Sequence, residues 1–319
     1  MNKEALTSRT IEILTQAGFT VSDRCNIRPR SFDLAARRRS ILLLLRILSN
    51  IDGLGAETAR EMRYLASCLN GSPLVIGSKS RDQGLEGGVA YFRYGIPSIN
   101  LTTLYDCFIE GVPPLVYAAP GGLYINIDGE CLHSIRTERN ISLGELAAEL
   151  GISRRTISKY EDGEMDASID VVLRLEEILD AELVCPIRIL STGNNRTKPD
   201  CASKQSEQDE VSLLLTPIGF FVFPTKQTPF NAISNDSGNN TLLTGISTYN
   251  RTMVRNASLM GSISSVAGTK SMYIVKGRCR RTQINGTVLI NESEFKEIDD
   301  PDDVMRLIQE RNIDKGDMT

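Results

Sequence analysis

Residues 128–163 read DGECLHSIRTERNISLGELAAELGISRRTISKYEDG, and their local rules agree on three short helices. Leu132, Ile135 and Arg136 fit one amphipathic helix that stops at Asn140, a residue that tolerates the left-handed turn common at a helix C-terminus. Ser142 followed by Glu145 is a capping box, so a second helix is expected over Leu143 to Leu150. Gly151 suits the left-handed residue of a tight turn, and Ser153 is placed to cap a third helix, Arg154 to Glu161, which Asp162-Gly163 ends. Two short helices joined by a three-residue turn containing glycine make a helix-turn-helix. Ser168 then opens a fourth helix with Ile169, Val172, Leu173, Leu175, Ile178 and Leu179 as its expected apolar face.

Outward from this stretch, the 319 residues imply two or three domains, and 41% apolar with 24% charged residues supplies enough surface for packed cores. No apolar run is long enough to span a bilayer and the N-terminus carries no signal-peptide pattern, so a cytoplasmic protein without a membrane partner is expected. The cysteines (Cys25, Cys68, Cys107, Cys131, Cys185, Cys201, Cys279) are scattered and never paired as CxxC, which reads as reduced thiols rather than a disulfide or zinc framework. His133 is the single histidine, which disfavours paired His ligands, and no cofactor is expected. The net charge of −4 offers no global attraction to nucleic acid, so any such attraction must be local.

Gly193 to Gln208 contains no large apolar side chain and reads as a linker. Val112 to Gly122 carries three prolines and a Gly pair, and reads as a softer boundary with Gly121-Gly122 as a hinge. Before it, a mixed domain is expected. It has an N-terminal helix through Ile11 and Leu14 to the turn at Gly18, then strands at Phe19–Val21, Phe32–Ala36 and Ser40–Leu48, the last buried on both faces. A helix over Ala56 to Leu69, strands at Pro73–Gly77 and Val89–Tyr94, and a helix over Thr102 to Phe108 complete it. The pattern recurs later. Ile13 to Val21 aligns with Leu214 to Val222, Phe32-Asp33 with Phe230-Asn231, Ser72 to Ile76 with Ser271 to Val275, and Gly88-Val89 with Gly286-Thr287, all 198 to 201 residues apart. A diverged copy of the first domain over Val211 to Arg311 is the expectation.

The segment SLGELAAELGISRRTISKYEDG resembles the helix-turn-helix of phage repressors and the Cro protein. The resemblance implies double-stranded DNA as partner, with the second helix of the motif in the major groove. Carried over residue by residue, the DNA-binding positions are Ser153, Arg154, Arg155 and Thr156, then Ser158 and Lys159 one turn later, with Ser142 at the start of the preceding helix. Arginine suits the task because its planar fork donates two bonds to guanine O6 and N7. Many relatives place a phosphate-contacting glutamine at the start of that preceding helix. Leu143 and Gly144 stand there in this chain, which leaves the contact without its usual residue. Between Leu123 and Cys185 six Lys+Arg face fourteen Asp+Glu, a local charge of −8 that predicts modest, salt-sensitive affinity. Nine arginines from Arg24 to Arg63 are a candidate auxiliary contact to the duplex.

The first domain also resembles the restriction-endonuclease-like fold, whose active members carry an aspartate and a Glu-x-Lys. Asp33 stands in the aspartate position, but the next strand offers Leu44-x-Arg46, and the later copy Asn231 with Leu242-x-Thr244. Over its length the chain is similar to archaeal HTH-type transcriptional regulatory proteins, through LEGGVAYFRYGIPSIN (85–100), YAAPGGLYINIDGE (117–130) and GISRRTISKYEDG (151–163). The expectation is therefore a multidomain α+β chain. A central all-α helix-turn-helix domain (117–190) is flanked by an α/β nuclease-like domain (1–116) and, past a linker (191–210), its diverged copy (211–319). It is expected to act as a sequence-specific regulator rather than an enzyme, as a homodimer because one short helix reads too few base pairs, and with its effector unidentified. The alternative is a metal-dependent nuclease or DNA-processing protein.

Overall fold

A computed structural model describes residues 2–190, 209–238 and 240–313; the linker read at Gly193–Gln208 lies outside the described residues. In chain order, α1 (Lys3–Gln16), β1 (Thr20–Val21), β2 (Leu34–Arg38) and β3 (Ile41–Asn50) precede α2 (Ala56–Cys68) and β4 (Ser72–Ser80). Next come β5 (Gln83–Gly84), β6 (Val89–Arg93), β7 (Ile96–Ile99) and α3 (Leu101–Tyr105), which runs on as a π turn to Glu110. β8 (Val116–Ala119) and β9 (Gly122–Ile127) lead into α4 (Gly129–Glu138), α5 (Leu143–Leu150), α6 (Arg154–Glu161), β10 (Ala167–Ser168), α7 (Ile169–Leu179) and β11 (Val184–Cys185). The last region holds α8 (Glu210–Leu215), β12 (Phe221–Pro224), β13 (Ala232–Asn235), β14 (Thr241–Thr248) and α9 (Arg251–Ala267). It closes with β15 (Lys270–Lys276), β16 (Gln283–Ile284), β17 (Thr287–Asn291), α10 (Glu292–Phe295) and α11 (Pro301–Ile313).

The chain forms two compact units: Met1–Ile13, Leu48–Asp52 and Val75–Ile189 make one, and Leu14–Ile47, Gly53–Leu74 and Leu190–Thr319 the other. In the first, β7 lies parallel to β4 and antiparallel to β6, and β8 lies parallel to β6. Gly121 and Gly122, at φ of 101° and 152°, turn β8 into β9. These backbone angles favour glycine, which explains the pair, and they make it a hairpin turn rather than the expected hinge. β9 then pairs antiparallel with both β10 and β11, tying the helical region to the sheet along its length.

In the second unit β1, β2 and β3 form an antiparallel run. Leu42, Leu43, Leu44, Leu45 and Ile47 are all buried, as a strand covered on both faces requires. Beside it stands a six-stranded sheet ordered β12-β13-β14-β15-β17-β16. Residues from both regions share one core: Phe32, Leu44 and Leu65 pack with Phe230, Met260 and Tyr273. The strand order β1-β2-β3-β4-β7-β6 of the N-terminal region is the same order. Local hydrogen bonds repeat too: Phe19 N–H donates to Leu14 O at 2.9 Å and Phe220 N–H to Leu215 O at 3.2 Å.

The structure departs from the expected elements in four further places. β2 starts at Leu34, because beyond it the Asp33 side chain takes the Ile47 N–H of β3 that a paired backbone carbonyl would otherwise accept. β7 was hidden by Pro97, yet it pairs with β6 and β4. β7 also corrects the repeat: the hairpin Tyr94-Gly95 before β7, at φ of 51° and 76°, matches Asn285-Gly286 before β17, at 46° and 87°, so Gly88-Val89 is not the partner of Gly286-Thr287. In the fourth helix Leu173 is 59% exposed, because it falls on the face opposite Leu175 and Leu179.

Candidate nucleic-acid interface

Local chemistry fixes both helices of the motif. Glu145 N–H donates to Ser142 Oγ at 3.1 Å and Ser142 N–H donates to Glu145 Oε2 at 2.7 Å, the reciprocal box expected from the sequence. The hydrogen bonds from Ser142 hold the Glu145 carboxyl below the usual carboxylate range. Gly151 ends α5 at φ 69°, and Ile152 N–H returns to Ala147 O at 3.0 Å. Ser153 caps α6 by accepting Thr156 N–H at 3.1 Å. Leu146, Ala147, Leu150, Ile157, Tyr160, Val172, Leu175 and Leu179 bury the inner faces against one another. Each fully buried Leu or Ile contributes about 2 kcal/mol, so packing rather than propensity holds helices this short.

α4 fastens the far end of α6. A Cβ on Gly129 would fall against the backbone carbonyls of Tyr160 and Glu161, so the first turn of α4 has room only for glycine. One turn from its end, Arg136 brackets the Glu161 carboxylate, Nε to Oε1 at 2.5 Å and Nη2 to Oε2 at 3.0 Å, and His133 Nδ1 lies 2.8 Å from Oε2. Burial pushes the Glu161 carboxyl up, but the hydrogen bonds from Arg136 and His133 outweigh it and hold the group below its ordinary range.

With Ile157 and Tyr160 turned inward, the opposite face of α6 begins with Arg154 and Arg155, both exposed, at its first two positions. The Arg154 guanidinium lies directly over Gly144: a Cβ there would be 2.7 Å from Nε and 2.8 Å from Nη2. The position that offered no glutamine thus makes space for an arginine from the next helix, a role that only the fold reveals. Thr156 and Ser158 are half-buried. Thr156 Oγ1 lies 2.9 Å from Ser153 Oγ, and Ser158 donates to Asp162 at 3.2 Å. Lys159 is also half-buried, one turn beyond Arg155. Ser142 is exposed at the head of α5, with its Oγ engaged in the box. Arg174 donates to Glu149 O at 3.0 Å. Among the described residues Arg154, Arg155, Lys159 and Arg139 pair with no carboxylate.

Four of the nine arginines from Arg24 to Arg63 are engaged inside the fold. Arg37 donates to the Ala267 carbonyl, Arg38 donates to Ala17 O and sits 4.8 Å from the Phe19 ring, and Arg30 and Arg46 close on Asp33. Asp33 is fully buried. It accepts Arg30 Nε at 2.8 Å and Ile47 N–H at 2.8 Å, with Arg46 Nη1 at 3.5 Å. Asn231 does the same in the second sheet, accepting Ile246 N–H at 2.9 Å. Asp33 N–H meets Leu45 O and Asn231 N–H meets Thr244 O, which sets Gly245, not Thr244, in the place of Arg46. The missing side chain there makes room for the Tyr273 ring. The metal used by active nucleases of this fold needs several carboxylates open to it. Among the described residues no group of three or more His, Cys, Asp or Glu is placed to hold an ion, and arginines neutralise Asp33. The residues present do not fit that metal. The described cysteines are all free thiols, and no described helix is long and apolar enough to cross a membrane.

Two family descriptions match the chain: a PD-(D/E)XK superfamily domain over residues 3–114 and a helix-turn-helix over residues 132–184. A protein of Methanococcoides burtonii named "Putative HTH-type transcriptional regulatory protein" is 51% identical over 317 residues, covering 98% of both chains. One of the same name from Methanocella arvoryzae is 49% identical over 99% of both chains. A similarly named protein of Natronomonas pharaonis is 48% identical, covering 98% of this chain and 99% of its own. No solved structure matches.

Proposed function

The chain belongs to the family of HTH-type transcriptional regulatory proteins found in archaea, and from that premise we propose that it regulates transcription by presenting α6 to the major groove of duplex DNA. The observation that carries this reading is the pair of exposed, unpaired guanidinium groups of Arg154 and Arg155 at the leading end of a helix whose other face is buried. Arg154 and Arg155 read base edges, with guanine favoured because its O6 and N7 accept both prongs of the fork. Lys159 supports them on the phosphate backbone. Ser142, Ser153, Thr156 and Ser158 act at the same interface through their backbone and caps. A homodimer is proposed because a single eight-residue helix spans too few base pairs, and its half-sites lie about one helical turn apart. Such a regulator works in the cytoplasm, and its nuclease-like lobes serve as scaffold.

Selection from a random duplex pool tests this. The native chain should return a preferred sequence, and Arg154→Ala/Arg155→Ala should return none; an unchanged preference in the double variant contradicts the reading. The enzymatic alternative has its own arm: supercoiled plasmid with magnesium or manganese should stay intact, and nicking abolished by Asp33→Ala would favour a nuclease.

A further inference from the structure

Within the second unit, the loop after β1 and the first turns of α9 face each other across a cleft of about 550 Å³. That volume lies in the range of small-molecule sites, about 300–1,000 Å³. Its lining includes Arg28, Arg255, Asn26, Thr252, Asn256 and Gln227, and no Asp or Glu. Arg28 has no partner among the described residues. Arg255 is held in place by Asn26, which takes Nε at 2.9 Å and Nη2 at 2.7 Å, so a neutral group rather than a carboxylate orients the guanidinium. Asn256, in the same wall, shares a hydrogen bond with the buried Tyr273 hydroxyl. Gln227, a non-glycine at φ 56°, is fixed from both sides: its carbonyl accepts Ser31 N–H at 2.9 Å and its Oε1 accepts Thr58 Oγ1 at 3.2 Å. Strain of this kind persists where the surroundings over-determine it, which makes the cleft wall rigid.

We propose that this cleft binds a small anion, carrying phosphate or carboxylate for Arg28 and Arg255. The amino-terminal turn of the 17-residue α9 adds its partial positive charge to the two guanidinium groups. Nothing in the assignment depends on DNA recognition by α6, so the two readings fail separately.

Calorimetric titration of the full chain at matched ionic strength, with ribose 5-phosphate, pyrophosphate, citrate and uncharged ribose as probes, tests it. Saturable binding of at least one anion is expected, none of ribose, and the phosphate and carboxylate arms show which group the cleft takes. Arg28→Ala should weaken binding about tenfold, the scale of one charge-assisted bond. Thr252→Asp places a carboxylate at an exposed first-turn position that favours acids, so the chain should stay folded and lose the anion. Arg154→Ala/Arg155→Ala should bind as the native chain does. Absence of saturable binding by all three anions, or binding unchanged in Thr252→Asp, overturns the proposal. So does displacement of the anion by random duplex in the Arg154→Ala/Arg155→Ala variant, which would make the cleft a nucleic-acid contact.

Discussion

A methyl group on Gly144 would stand 2.7 Å from Arg154 Nε, at the free end of a flexible side chain that can swing away. Gly144→Ala should therefore be accepted by the fold and, by removing a glycine from the start of α5, stabilise it by about 0.5–1 kcal/mol. On the proposed reading the cost falls on recognition, because Arg154 loses its seat. Thermal unfolding and duplex selection on this variant should show a melting temperature at or above native with a changed preference at the base Arg154 reads; an identical selected sequence would mean that the seat has no role. At this scale the sequence was most legible where a side chain acts on its own backbone: Ser142, Glu145, Gly151 and Ser153 all do what their spacing implied. It was least legible where the partner is remote, since neither Gly129 nor Gly144 carries any local sign of the chain that crosses it.

The α4–α6 pair is held by a carboxylate whose charge matters to stability. Glu161 titrates below its ordinary value in the fold, through the hydrogen bonds from Arg136 and His133 that overcome burial. A depressed carboxyl contributes stability that is present above its unfolded value, about 4.3, and is lost as pH falls through the lower folded value. Glu161→Gln should accordingly be less stable than the native chain at pH 7, with the gap in urea midpoint closing below about pH 4. A gap that stays constant from pH 7 to pH 3 would show that the ion pair contributes nothing. Helices with an apolar stripe were readable at this scale, and α5 and α6 fall on their expected bounds. Short strands were not: β7 holds a proline, and β5, β10 and β11 have two residues each, too few for any period to register. The slipped repeat has the same origin, because with β7 unseen the alignment took β6 for the strand that continues into the sheet interior.

Across the whole molecule, the order of the six-stranded sheet repeats that of β1-β2-β3-β4-β7-β6, yet the described residues carry a single helix-turn-helix. The repeated strand order therefore comes without a repeated reading head, and under the proposed dimer the second head is supplied by a second chain. The acidic surplus between Leu123 and Cys185 sets the expected energetics. Few phosphates can be neutralised there, so under the proposed reading the guanidinium contacts to bases, each worth about 1–3 kcal/mol, are expected to carry much of the specificity. Domain class and the reading head were visible in the sequence because each rests on local pattern. The two-unit partition and the cleft beside α9 were not, because they join residues roughly 200 positions apart. Methylation interference on the selected duplex tests the central claim most directly. Methyl groups at guanine N7, in the major groove, should block binding in two clusters about one helical turn apart. Interference at adenine N3 in the minor groove instead, or at no base at all, would contradict the placement of α6 in the major groove.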